Sequence, residues 1–298
     1  MLSSQLANLP RPISRIIHIG AGTGADLSDY LAAGVEAVLL VEAHADTAAE
    51  LAAQTAREPR VETLQAAVSG DLQHRPFFRT NFPELDSLRA PTEELRILFP
   101  GMRLLSDKTT VPSDPVELLR DRPPATEGSQ VLVLETPGES LSILRSLEAA
   151  DLLHSFDVIA LREGRQPLYD GAPSLEQIRS RLDATDFLTT IEPLPEDPER
   201  PWLFARLNRI ALDLRQTLAD AQAQIASITE ERDSARNASE RNSAELADAQ
   251  AQIASITEER DSARNASERN QQKIKEEVLK AEGQIRLLQE LLMNKDNL

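Results

Sequence analysis

Residues 16–46 read IIHIGAGTGADLSDYLAAGVEAVLLVEAHAD. A mostly apolar run ends at a cluster of three glycines, a segment with helical spacing follows, and a second apolar run ends at Glu42. Short apolar runs bounded by glycines are typical of buried strands. The stretch therefore predicts a strand, a tight loop, a helix and a second strand, which is how a parallel sheet begins.

The loop suggests a ligand site. Gly20, Gly22 and Gly24 follow the spacing G-x-G-x-G, and Glu42 lies 22 residues after Gly20. Glycines at such a turn let the backbone approach a ligand, and an acid about 20 residues later accepts hydrogen bonds from ribose hydroxyls. The spacing differs from the G-x-G-x-x-G of a pyrophosphate site, so it favours a nucleoside without phosphates. The alternative is that the glycines only allow close packing and Glu42 caps the next helix.

Strand and helix patterns alternate through the rest of the first 205 residues. This alternation predicts an α/β fold, a Rossmann-like mostly parallel sheet with helices on both faces, followed by a long C-terminal α-helix. Ser174 is the predicted N-cap of the last helix before the tail. Residues 70–113 have no clear period and remain unassigned. The predicted strands are 15–19, 35–41, 60–68, 130–134, 156–161, 187–191 and 202–205, and the predicted helices are 25–33, 47–57, 115–119, 140–153 and 174–182.

Composition divides the chain in two. All 18 prolines and all ten aromatic residues lie at or before Phe204, and only one of the 11 glycines, Gly283, lies beyond Gly171. A segment without aromatic core residues or turn formers cannot build an ordinary domain. We therefore expect a globular domain over residues 1–208 and a helical tail over residues 209–298.

The tail contains a duplication. Residues 218–242 read LADAQAQIASITEERDSARNASERN and recur letter for letter at 246–270, an offset of 28 residues or four heptads. This spacing keeps one helical face in phase and predicts a coiled coil. The alternative is a single charged helix. The core positions of the first copy are Leu218, Ala221, Ile225, Ile228, Arg232, Ala235, Ser239 and Asn242, and after Asn270 a four-residue stutter shifts the stripe to Ile274, Val278, Ala281, Ile285, Leu288 and Leu292.

Charge and cysteine content exclude several classes of function. The first 203 residues hold 18 basic and 32 acidic residues, a net charge of −14 that disfavours a nucleic-acid substrate. The chain has no cysteine, and its four histidines lack metal-ligand spacing, so no metal site is predicted. No apolar run reaches the length of a membrane span, and the N-terminus lacks the apolar stretch of a signal peptide. A soluble cytoplasmic protein is the expectation.

Several segments, taken in order, resemble the class I methyltransferases that use S-adenosylmethionine, and among them the FkbM-like group. The opening block matches their first two motifs, QAAVSG at 65–70 is similar to the step after their third strand, and VLVLETPGESLSILRSL at 131–147 is similar to their fourth motif. The segment from FDVIAL to PWLFARLN is similar to their closing strands and helix. The resemblance covers roughly residues 12–208. It departs from the family at His18, where an acid is usual, and at Pro137, where a glutamate is usual.

The resemblance implies a set of site residues. Glu135 is the implied catalytic residue, a base or a positioning group for the acceptor; the alternative is an acid that stabilises a helix dipole. His18 is interpreted as a strand-end histidine beside the cofactor, and Tyr169 either lines the acceptor pocket or serves a turn. The implied cofactor positions are His18, Gly20, Ala21, Gly22, Gly24, Glu42 and Ala67, and the implied acceptor positions are Gly138, Glu139 and Tyr169.

Three functional readings follow. The first is an S-adenosylmethionine-dependent O-methyltransferase that acts on a hydroxyl of a sugar, a polysaccharide precursor or another small molecule, as a homo-oligomer held by its tail. The second is a degenerate methyltransferase fold that serves as a coiled-coil scaffold or interaction protein. The third is a structural coiled coil with a globular head. If the tail does not self-associate, a glycosyltransferase of the same pathway is an alternative partner.

Overall fold

A computed structural model describes residues 5, 6, 9, 12–120, 122 and 127–295, and the side chains of 291–295 lie outside the description. The chain divides into two compact units, Met1–Arg215 and Gln216–Leu298. Among the described residues, no helix is both long and apolar enough to cross a bilayer.

A seven-stranded sheet forms the centre of the first unit, in the order β3-β2-β1-β6-β7-β9-β8. Neighbouring strands pair in parallel except at β9, which runs antiparallel to both β7 and β8. The Rossmann-like fold class predicted from the sequence is confirmed. The strands are β1 (Ile13–Ile19), β2 (Ala37–Glu42), β3 (Val61–Gln65), β6 (Ser129–Leu134), β7 (Val158–Arg162), β8 (Phe187–Glu192) and β9 (Trp202–Leu207), and a separate hairpin contains β4 (Arg75–Thr80) and β5 (Leu104–Thr110).

The sheet is buried on both faces, which explains why its central strands read as apolar runs. Alternate residues of β1 enter two different cores: Ile17 packs with Leu132 and Leu144 in one, and Ile16 packs with Tyr30 in the other. The covering helices are α1 (Leu27–Ala32), α2 (Ala45–Thr55), α3 (Glu93–Leu98), α4 (Pro115–Arg120), α5 (Ser140–Ala149) and α6 (Leu175–Ala184).

Two predicted elements differ most from their expected length. The third strand ends at Gln65 rather than Val68. The helix predicted over 140–153 ends at Ala149, because Asp151 takes a φ of 57°, outside the helical region. The Ser174 cap is present as expected, with Gln177 completing a reciprocal capping box.

The unassigned segment 70–113 contains the antiparallel hairpin β4–β5, a 3-10 turn over Pro83–Leu85 and α3. Phe78 pairs with Ser87 in an isolated bridge, so the chain folds back after β4 toward the main sheet. Ser87 then donates its hydroxyl to the Pro137 carbonyl at 2.6 Å. This hydrogen bond places residues 83–88 beside the end of β6.

The helix α7 (Arg209–Lys295) is 87 residues long. Its first turns belong to the first unit, where Arg209 pairs with Asp157 and Arg215 Nη1 lies 2.9 Å from Asp186 Oδ2. Leu212 packs against the core there. In the second unit the apolar stripe is exposed; for example, Ile225 and Ile253 are 64% and 65% exposed.

Candidate functional site

A cavity of about 370 Å³ opens at the carboxyl ends of the strands. Its position follows from the sheet order, because β1 lies between β2 and β6 and the chain reverses its direction of winding there. Ligands of such sheets bind at this switch point. The cavity is lined by the loop after β1, the end of β2, residues 66–68 after β3, the segment 83–88, residues 135–137 after β6, and single side chains from the hairpin and the far strands.

The glycines of the first loop serve different purposes. Gly20 has a φ of +87°, and a Cβ there would lie 2.2 Å from the Glu135 carbonyl oxygen, so only glycine fits beside β6. A Cβ on Gly24 would lie 2.6 Å from Leu51 of α2. Gly22 also has a positive φ, +52°, but a Cβ there would meet nothing within 4 Å. Close packing therefore accounts for Gly20 and Gly24, whereas Gly22 faces open space in the cavity wall.

Glu42 joins the two loops that border the cavity. Its Oε2 accepts a hydrogen bond from the Gly22 amide at 2.8 Å, and its Oε1 accepts one from the His44 amide at 2.7 Å. The N-cap of α2 is His44, whose Nδ1 accepts from the Thr47 amide, so Glu42 does not have the capping role considered as its alternative. Each carboxylate oxygen keeps acceptor capacity toward the cavity.

Glu135 lies where the fourth motif places it, at the end of β6 and on the cavity wall. Arg162 Nη1 donates to Oε1 at 3.2 Å, and His18 Nε2 lies 3.4 Å from Oε2. Burial raises the pKa of Glu135, but the nearby His18 side chain and the charge of Arg162 lower it by more, and the net shift is downward. A carboxylate stabilised in its ionised form is a poor proton acceptor, which weakens the base role expected for Glu135.

His18 is buried behind the glycine loop and does not line the cavity. Its Nδ1 lies 3.0 Å from the Tyr30 hydroxyl, in a site where both side chains are almost fully enclosed. His18 therefore lies at the end of a strand, as expected. It was also predicted to bind the cofactor, but its side chain does not reach the cavity.

Glu139 reaches the cavity wall with a fully engaged carboxylate. The side chain is 2% exposed and accepts hydrogen bonds from Ser69 and Ser142, both at 2.6 Å. Arg75 and Arg89 approach its other oxygen at 3.2 and 2.7 Å. These contacts tie the hairpin to the start of α5, and they leave little of the carboxylate for an acceptor.

Gly138 and Tyr169 do not line this cavity. The Gly138 amide donates to both oxygens of buried Glu163, at 3.0 and 3.1 Å, and Gly138 borders a separate shallow cleft. Tyr169 is 2% exposed, and its hydroxyl donates to the Leu85 carbonyl at 3.1 Å. The structure thus favours the turn role of Tyr169 over the acceptor role. Of the implied positions, the cavity brings together Gly20, Ala21, Gly22, Glu42, Ala67, Glu135 and Glu139.

Two arginines of the cavity wall were not predicted. Arg162 ends β7 and donates to both Glu135 and Asp197, and Arg200 pairs with the same Asp197 carboxylate. Their positive charges are thereby balanced by acidic partners. Arg162 could have been noticed in the sequence as the charged residue that ends an apolar run, whereas the position of Arg200 depends on the long loop before β9.

Asp86 is a further unpredicted residue of the cavity wall, contributed by the unassigned segment 83–88. Burial raises the pKa of Asp86 to about 6, against the lowering effect of a hydrogen bond from the Thr80 amide and of the Arg79 charge. A carboxylate with a pKa near neutrality, on the wall of a cavity, is suited to accept a proton.

No family model and no curated protein matches the chain. Similar solved structures include TrmK of M. capricolum in complex with S-adenosyl-homocysteine, at 10% identity and a TM-score of 0.39, covering 70% of this chain and 68% of that one. An rRNA methylase from Streptococcus thermophilus matches at 9% identity and a TM-score of 0.37, covering 70% and 94%. Precorrin-6y C5,15-methyltransferase from Geobacter metallireducens matches at 11% identity and a TM-score of 0.36, covering 69% and 85%. The chain therefore spans about two thirds of the first of these proteins.

Proposed function

We propose that this chain binds S-adenosylmethionine and methylates a hydroxyl of a sugar, a polysaccharide precursor or another small molecule. The observation that carries the proposal is the pairing of Gly22 and Glu42 on the wall of a cavity at the switch point of the sheet. The mostly parallel sheet with helices on both faces also fits the resemblance to class I methyltransferases.

The wall residues fit the adenosine part of such a cofactor. The loop after β1 offers open space at Gly22, and the Glu42 carboxylate retains acceptor capacity for ribose hydroxyls. Ala67 adds a small apolar surface on the β3 side. The bound cofactor supplies an activated methyl group; this chain holds and orients the cofactor and accepts a proton from the acceptor.

Asp86 is the better candidate for proton acceptance, because its pKa is about 6 whereas the pKa of Glu135 is lowered. In this proposal Glu135 keeps a place beside the acceptor as a positioning group held by Arg162. Both described arginines of the cavity wall are paired with acids, so the wall offers little to a phosphate. Together with the net charge of −14, this supports an uncharged hydroxyl acceptor over a nucleic acid.

Calorimetry of the full chain with S-adenosylhomocysteine tests the cofactor. Glu42→Ala should weaken binding by about 1.5–3 kcal/mol, the range for hydrogen bonds to a charged group. Glu36→Ala is the matched control, because Glu36 precedes the same strand at its opposite end and is exposed. Equal affinities of the parent and both variants for S-adenosylhomocysteine would show that Glu42 does not bind the ligand. No heat at millimolar ligand would contradict the cofactor assignment and favour the scaffold reading, which the long exposed tail also supports.

We also propose that the tail self-associates in parallel. The two copies of the duplication present the same exposed apolar positions, for example Leu218 and Leu246, at 58% and 61% exposure. Outside this stripe the helix carries ion pairs four residues apart, Arg236 with Glu240 and Arg264 with Glu268. Arg, Ser and Asn occupy several core positions of each copy, so the apolar stripe after Asn270 should contribute much of the stability and set the register.

Light scattering at tens of micromolar should show a dimer or trimer for the full chain. Truncation after Arg215 should leave a folded monomer or weaker oligomer, because the pairs of Arg209 and Arg215 belong to the first unit. The double variant Ile285→Ser, Leu288→Ser should lower the molar mass measured by light scattering, because it removes exposed apolar side chains of the stripe. Glu276→Ser with Glu290→Ser, two charged positions off the stripe, should not. A monomeric full chain would contradict self-association and leave a different partner, such as a glycosyltransferase.

A further inference from the structure

Three potential ligand atoms converge beneath the glycine loop. A ring nitrogen of His18, a carboxylate oxygen of Asp26 and a carboxylate oxygen of Glu135 all lie within 4.8 Å of one another. They come from β1, the start of α1 and the end of β6, so the fold rather than the local sequence brings them together. Histidine spacing alone predicted no metal site, because a single histidine contributes here.

The imidazole of His18 points into this group without a hydrogen bond from Nε2. The side chain is 2% exposed, and Nε2 is buried and has no hydrogen-bond partner. Its 3.4 Å approach to Glu135 Oε2 is longer than a normal hydrogen bond between nitrogen and oxygen. A buried polar atom of this kind costs free energy unless a further group satisfies it.

Tyr30 accounts for the other ring nitrogen. Its hydroxyl lies 3.0 Å from His18 Nδ1, at a position where the tyrosine is fully buried. If Nδ1–H donates to the tyrosine oxygen, the Nε2 lone pair faces two carboxylates. Metal-binding histidines are commonly oriented in this way, by a hydrogen bond from the ring nitrogen that does not bind the metal.

We propose that His18, Asp26 and Glu135 bind a divalent transition-metal ion, with Zn²⁺ as the best fit. Two ligands about 2.1 Å from a tetrahedral ion lie roughly 3.4 Å apart, which is the separation of His18 Nε2 and Glu135 Oε2. Asp26 is half-buried at the start of a helix and needs only a side-chain adjustment to become the third ligand. One imidazole and two carboxylates without sulfur suit Zn²⁺ or Co²⁺ better than Mg²⁺ or Ca²⁺, which prefer sites made of oxygen alone.

The surrounding charges are compatible with an ion. Arg162 engages Glu135 through Oε1, which leaves Oε2 for the metal. Two carboxylates neutralise the charge of a divalent cation. An ion in this position would fasten the glycine loop to the end of β6, because its ligands come from both sides of that contact. It would lie behind the cavity wall rather than in the cavity, since His18 and Asp26 do not line it.

Metal titration of the full chain, stripped with a chelator and without any nucleoside, tests the proposal. We expect one Co²⁺ per chain with visible ligand-field absorption, displacement by Zn²⁺, and a rise in melting temperature when Zn²⁺ is added. Asp26→Asn should weaken binding by at least about 10–100-fold, the range already seen for groups that only support a ligand. His18→Gln should weaken metal binding to the same extent, provided that this variant of a buried residue folds. Asp26 is half-buried, so the Asp26→Asn variant tests the site even if His18→Gln does not fold.

His74→Asn is the control, because His74 is exposed and outside the cluster. Absence of Co²⁺ and Zn²⁺ binding at about 100 μM would overturn the proposal. So would an Asp26→Asn variant that binds the metal as tightly as the parent. This test is independent of the cofactor proposal. Metal binding without heat from S-adenosylhomocysteine would support the metal site and contradict the methyltransferase function. Heat from S-adenosylhomocysteine without metal binding would support the methyltransferase function and contradict the metal site.

Discussion

Gly20→Ala should abolish the cavity or unfold the first unit. The new Cβ would lie 2.2 Å from the Glu135 carbonyl oxygen, which is backbone and cannot turn aside. Two costs add: about 1–2 kcal/mol for a non-glycine residue at positive φ, and about 1–3 kcal/mol for overpacking a buried contact. We therefore expect a loss of about 2–5 kcal/mol in the free energy of unfolding, measured by urea denaturation, together with loss of S-adenosylhomocysteine binding.

Gly22→Ala is the matched control for this variant. Its φ is also positive, at +52°, and the added methyl group is the same, but nothing lies within 4 Å of the new atom. Its cost should be limited to the backbone term of about 1–2 kcal/mol. Equal losses for the two variants would show that the contact between β1 and β6 is more compliant than its geometry indicates.

Glu163→Gln should stabilise the protein at alkaline pH. Glu163 is 3% exposed, and burial is the largest of the effects that raise its pKa to about 7. Its carboxyl group accepts hydrogen bonds from the Gly138 and Ser140 amides, which oppose that rise without cancelling it. A glutamine carbonyl can accept the same hydrogen bonds without the cost of a buried charge.

The sign follows from proton binding. In the unfolded chain the pKa returns to about 4.3, so between about pH 4.3 and 7 the folded state holds a proton that the unfolded state has lost. This residue's contribution to stability therefore falls as pH rises through that window of about 2.7 units, by at most about 3.7 kcal/mol at 1.36 kcal/mol per unit. The free energy of unfolding of the variant should equal that of the parent near pH 4 and exceed it by about 1–3 kcal/mol at pH 8.

Urea denaturation of both proteins from pH 4 to 8 measures the difference. Glu176→Gln is the control, because Glu176 is exposed in the first turn of α6 and should show no such dependence. A Glu163→Gln variant less stable than the parent at pH 8 would mean that the ionised carboxylate stabilises the start of α5 through the helix dipole.

The sequence predicted the parts of the fold that have strong local patterns. The apolar run of β6 and the N-cap at Ser174 depend on neighbouring residues, and both are present in the structure. The hairpin β4–β5 was not predicted because apolar and polar residues do not alternate regularly along its strands. Leu104 and Leu105 are adjacent and both exposed, and each strand also contains charged residues, such as Arg75 and Lys108. Its pairing depends on contacts between distant residues, which periodicity does not reveal.

The site shows the same division. Glu42 could be identified because its spacing from Gly20 is fixed by one helix and two strands. Asp86 could not, since it reaches the cavity only through the hairpin. The pKa of Glu135 is lowered against the effect of burial, first by His18 on one neighbouring strand and then by Arg162, 27 positions away on the other. Burial and charge at these positions are properties of the assembled sheet.

The duplication in α7 has a consequence for how such a tail can change during evolution. In an isolated straight helix, 28 residues make about 7.8 turns, so each added copy would rotate its sequence by roughly 80° around the axis. In a supercoil with 3.5 residues per turn, 28 residues make eight whole turns, and the rotation vanishes. A tail of this kind could therefore lengthen or shorten by recombination between its copies, in steps of about 42 Å, without moving the face that it presents.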